Sequence, residues 1–179
     1  DATVDSTGGG AFTLTSPTIT EGGVIPPAHV CANRGGTNTS PQVDFANVPA
    51  GTMSFAVVLT DLSNSLVHCA IYDIPGTATG LPADVEKVYA PTDVPGAHQT
   101  LSYAGQRGWA GPCPSTMHTY QLKVYALGTA TAPTATMQAS KSSSRPPAVA
   151  SRRCAGCSAH TRSRKKRCPA CFTMAARSR

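Results

Sequence analysis

Turn signals set the tightest limit on what this chain can become. "EGG", "IPP", "NRGGTN", "VPAG", "IPG", "DVPGAH" and "GPCP" recur between short apolar runs, and Gly and Pro at that density interrupt a helix before it grows. Strands fit between them. "AFTLTS" and "HTYQLKVYAL" alternate apolar with polar residues, while "TMSFAVVLTDL" and "LVHCAIYDIP" are rich in Val, Ile and Phe, which suit a pleated, half-buried surface. Only "PADVEKVYA" has helical character. The expected fold is an all-β sandwich of antiparallel sheets with long loops and little helix.

With 179 residues and 40% hydrophobic content the chain can hold one substantial core. Its formal charge of +6 is unevenly spread. Up to residue 140 only Arg34, Lys87, Arg107 and Lys123 stand against nine acids, a net −5, whereas residues 141–179 carry eleven Lys and Arg and no acid, +11. The basic character therefore belongs to the tail and says nothing about what the main domain binds.

The tail holds Cys154-x2-Cys157 and Cys168-x2-Cys171, a spacing that could bind zinc, and basic residues that could touch nucleic acid. Few apolar side chains are available to pack around a metal. An acid-free stretch rich in Ser, Arg, Pro, Ala and Cys is what out-of-frame reading of GC-rich coding sequence gives. Residues 137–179 are thus expected to be disordered or frameshifted, with the domain proper spanning 11–136 and a flexible Gly/Ser/Thr leader at 1–10.

No run approaches the roughly 18 apolar residues of a membrane span, so no integral membrane association is expected. Cys31, Cys69 and Cys113 are compatible with one disulfide and one free thiol, and spacing alone does not choose the pair. Leader and cysteines together suit an exported protein, periplasmic or extracellular, or a processed lipoprotein.

Strand phase carries the functional signal. Period-two counting puts Asp61 in line with Met53, Phe55, Val57 and Leu59, His68 with Leu66, Ala70 and Tyr72, and His118 and Tyr120 with Leu122, Val124 and Ala126. Polar groups aimed at apolar packing must pair, hold water or line a cavity, since an unmet one costs about 1–3 kcal/mol. Several converging at strand ends beside Pro/Gly loops point to a small polar pocket. The same counting sets Cys69 on the face opposite His68, and Cys113 lies in a proline turn, so no nucleophile motif accompanies the histidines. A non-catalytic protein without a cofactor is expected.

The segments "FTLTSPTITEGGVIPPAHVC", "NTSPQVDFANVPAGTMSFAVVLTD", "LVHCAIYDIPG" and "GWAGPCPSTMHTYQLKVYAL", in that order, resemble the phosphatidylethanolamine-binding protein family, specifically its bacterial Raf-kinase-inhibitor-like branch. The resemblance implies two antiparallel sheets with a shallow anion pocket built from Asp61, His68, Gly111, Pro114, His118 and Tyr120, the Gly111–Pro114 loop being its rim. In that reading His68, His118, Tyr120 and backbone N–H groups of the loop are donors to the anion, and Asp61 orients a histidine. The chain departs from the family pattern at Asp61-Leu62-Ser63, where a second acid is common, at Cys69 and Phe45, where Trp is common, and at Thr119, where Arg is common.

The implied ligand is a small phosphoryl or carboxylate anion, free or on a phosphorylated head group. A protein partner, as in protease inhibition with a vestigial pocket, is the alternative. A second copy of the chain, or nucleic acid at the tail, would be further associations.

Overall fold

The computed structural model describes residues 11–129 and 171–176. Among these residues eight strands form two antiparallel sheets: β1 (Thr13–Thr15), β2 (Val43–Ala46) and β5 (Gly80–Leu81) in the order β1-β2-β5, and β3 (Ser54–Asp61), β4 (Leu66–Pro75), β6 (His98–Gln99), β7 (His118–Leu127) and β8 (Cys171–Ala176) in the order β6-β4-β3-β7-β8. This is the expected sandwich. One continuous core joins the sheets, and three phenylalanines mark the junction: Phe45 of the small sheet lies 4.9 Å from Phe55 of the large one, with Phe12 against both. No described helix is long and apolar enough to cross a membrane.

The only helical turns among the described residues are two 3-10 turns, Pro27–His29 and Ala32–Arg34. "PADVEKVYA" is not helical: Asp84 takes a positive φ of 57°, and side chains replace the helical ladder, Asp93 accepting from Glu86 N–H and Glu86 from Thr92 N–H. Acidic side chains that bond backbone N–H groups locally compete with helix in this way.

The tail also departs from expectation. Cys171–Ala176 pairs in register with β7, from Lys123↔Cys171 to His118↔Ala176, so this uncharged run completes the large sheet instead of being disordered. Residues 1–10, Cys154, Cys157 and Cys168, and with them the leader, zinc and frameshift readings, lie outside the described residues. Among the described residues no cluster of His, Cys, Asp and Glu could hold a metal.

β4 is longer than its partner β3 and absorbs the excess in two irregularities. One lies between the pairs Leu59↔Cys69 and Thr60↔Val67, which leaves His68 opposite no residue. Such a bulge re-aims a side chain. His68 and Cys69 are consequently both buried toward the core side, His68 against Tyr120 and Cys69 within the main hydrophobic cluster. Period-two counting placed them on opposite faces because it cannot register the inserted residue.

Candidate functional site

β3 and β7 pair directly at the site, Asp61 opposite Tyr120. Asp61 is 1% exposed. Its Oδ2 accepts the Nδ1–H of His118 at 2.6 Å, its Oδ1 accepts Ser63 N–H at 2.9 Å, and the Tyr120 hydroxyl is hydrogen-bonded to it as well. A buried carboxylate with three donors is well compensated. The Asp61-Leu62-Ser63 turn is itself stitched to β7, Leu62 N–H donating to Thr119 O and Thr119 N–H to Ser63 Oγ. Ser63, standing where a second acid was expected, thus serves the turn geometry.

The Tyr120 ring lies between the two histidines, its centroid 5.1 Å from that of His68 and 6.3 Å from that of His118. Burial, with the neighbouring Asp61 charge, pushes the Tyr120 phenol far above its ordinary range, so it stays a neutral donor. His68 donates Nδ1–H to Ala110 O at 2.9 Å. Burial lowers its pKa, which the Ala110 hydrogen bond and then the Asp61 charge partly restore and the His118 charge lowers again. His118 is the accessible member, with 24% of its side chain exposed.

The strap Trp109–Cys113 meets the site at Ala110, whose carbonyl accepts from His68. Trp109 Nε1–H donates to His29 O, Gly111 N–H to Asn38 Oδ1 at 2.8 Å, and Cys31 N–H to Pro112 O. A disulfide between Cys31 and Cys113 locks the same two segments together, resolving the choice among three cysteines, and leaves Cys69 as a buried free thiol whose pKa burial pushes up to about 12. Gly111 is required by space: a Cβ there would come within 2.2 Å of His29 O. Of the rim amides expected to face an anion, Gly111 N–H is occupied by Asn38, and Pro112 and Pro114 have none.

The structure therefore brings Asp61, His68, His118 and Tyr120 into one cluster and joins Gly111 to it through its neighbour Ala110, whose carbonyl accepts from His68. It adds residues that sequence reasoning missed. Tyr103, on the loop after β6, sets its ring 4.3 Å from that of His68 and its N–H on His68 O. Asn38 anchors the strap across 73 residues. Leu62 and Met117, 44% and 53% exposed, flank Asp61 and His118 in sequence. The exposed apolar neighbours could have been noticed in the sequence; the long-range anchors leave no local signal there. A separate cavity of about 40 Å³, lined from both sheets by residues including Val43, Leu59, Cys69, Leu81 and Trp109, does not reach Asp61, His68 or His118.

Residues 15–151 match the family model for phosphatidylethanolamine-binding protein. The chain is 37% identical over 128 residues to the UPF0098 protein YbcL of Escherichia coli (strain K12), covering 66% of this chain and 70% of that one. It is 33% identical over 128 residues to a UPF0098 protein of Aquifex aeolicus (strain VF5), covering 68% and 71%. The crystal structure of Escherichia coli YbcL, described as a new member of the mammalian PEBP family, superposes with a TM-score of 0.65 at 35% identity over 72% of this chain and 85% of that one. On this combined ground, the chain belongs to the phosphatidylethanolamine-binding protein family.

Proposed function

We propose that this protein is a non-catalytic binding module whose cluster of Asp61, His68, His118 and Tyr120 receives a small oxyanion, phosphoryl or carboxylate, at the mouth formed by His118. The observation that carries the reading is the Asp61–His118 pair: a 2.6 Å bond between a buried carboxylate and a partly exposed imidazole. Asp61 fixes the orientation of the ring, so that Nε2 is left to meet a ligand. Among the described residues the one free thiol is Cys69. Cys69 is the nearest thiol in sequence, and burial holds it protonated, whereas an attacking thiol must ionise.

The Cys31–Cys113 disulfide supports function in an oxidising, exported setting. Titration with phosphate, cacodylate or phosphoethanolamine, followed through the histidine ring NMR signals, tests the site. Movement of the His68 and His118 signals together is the expected result. Silence of both would remove the anion reading and favour a protein-interaction role.

A further inference from the structure

Hydrogen-bond direction at the two histidines restricts what the site can accept. A carbonyl oxygen only accepts, so the contact of His68 Nδ1 with Ala110 O at 2.9 Å puts the proton of the neutral ring on Nδ1. The same holds at His118, whose Nδ1 faces the Asp61 carboxylate at 2.6 Å. In each neutral ring the other nitrogen, Nε2, is then a lone pair. Other donors are few: the Tyr120 hydroxyl is engaged by Asp61, Gly111 N–H by Asn38, and Pro112 and Pro114 have no N–H, which leaves the Tyr103 hydroxyl beside His68 and the Cys113 N–H. At each neutral Nε2 an oxyanion arriving without a proton would meet a lone pair with its own.

We propose that the site takes up its oxyanion together with one proton, shared between a ligand oxygen and Nε2 of His68 or His118, and therefore favours oxyanions that keep an acidic O–H over diesters, which keep none. This rests on the anion-binding reading above and names the ligand class within it. The groups around His68 are Asp61 from β3, His118 and Tyr120 from β7, Tyr103 from the loop after β6, and Cys69 on β4 itself. Burial holds the His68 pKa below its ordinary value, so at pH 7–8 that ring carries no proton of its own to offer. The balance differs between ligands. Hydrogen phosphate donates its own O–H to Nε2 and binds without net proton exchange. Dimethyl phosphate has no O–H, so one proton from solvent must convert an imidazole to imidazolium as it binds.

The test is titration of the full chain with inorganic phosphate and, separately, with dimethyl phosphate between about pH 7.5 and 8.5, followed by histidine NMR. Calorimetry in two buffers of different ionisation enthalpy then counts the protons taken up. The expected result is a Kd for dimethyl phosphate that rises about tenfold per pH unit with close to one proton bound, while that for inorganic phosphate changes less than about threefold. Equal pH slopes and equal proton uptake for the two ligands would overturn the proposal and leave the anion site standing. Failure of either ligand to move the His68 and His118 signals at any pH would overturn the anion site and this inference with it.

Discussion

Asp61 Oδ2 holds His118 Nδ1 at 2.6 Å across the pairing of β3 with β7, with Asp61 buried and His118 partly open to solvent. The exposed partner is thereby oriented from inside the core. Asp61→Asn keeps the shape but supplies an amide that can donate as well as accept, so the proton of His118 is no longer confined to Nδ1. Long-range ¹⁵N spectra should show a change of tautomer population at His118, and anion affinity should fall by about tenfold or more, the cost of losing a charge-assisted bond.

His118→Ala removes the accessible imidazole and should weaken anion binding by about 1–3 kcal/mol. Tyr120→Phe removes only a hydroxyl, already committed to Asp61, and should weaken it less. Both variants should fold, because Leu122, Val124 and Ala126 continue to pack the same face of β7. Binding isotherms beside thermal melts separate the two effects.

Burial lowers the pKa of His68 from its ordinary 6.5. Below about pH 6.5 the unfolded chain takes up a proton that the folded chain resists, so the unfolded state binds more protons and stability falls as pH falls. Thermal melts from about pH 7 to about pH 5 should show a declining Tm without ligand, and His68→Gln should flatten that decline. A Tm independent of pH in the wild type over this window would contradict the burial argument.

The Cys31–Cys113 bond closes a separation of 82 residues, for which chain entropy gives at most about 4.5 kcal/mol. Double replacement of Cys31 and Cys113 by Ser should lower stability by about 2–4 kcal/mol in denaturant titrations. The core between the sheets does not include either residue, so the sandwich should survive while the amide signals of Gly111 and Ser115 broaden or shift.

Gly111→Ala places a methyl group against His29 O and must displace the strap. The expected outcome is destabilisation of about 1–3 kcal/mol with loss of protection at the Gly111 amide, read by hydrogen exchange. Unchanged exchange at Gly111 would mean that the strap accommodates the methyl group without moving.

Period-two counting was a sound guide where strands are regular. In β3 it put Phe55, Val57, Leu59 and Asp61 on one inward face, and in β7 Tyr120, Leu122 and Val124, all of them buried. It failed at His68 and Cys69, because nothing in "LVHCAIYDIP" marks the residue that β4 inserts against β3. The cluster was reached there through a wrong account of the strand face. Asn38 and Tyr103 were out of reach for another reason: their partners are brought close only by the closed sandwich. The strand Cys171–Ala176 was overlooked since the basic composition around it outweighed six residues of strand-compatible sequence.

The peptide unit between Ala110 and Gly111 is trans, like every described peptide bond, and planar. Its carbonyl end is gripped by His68 and its N–H end by Asn38, whose own carbonyl takes the Lys87 ammonium at 2.7 Å. One stiff amide therefore ties the buried ring of His68 to Asn38 and, through Asn38, to the surface at Lys87.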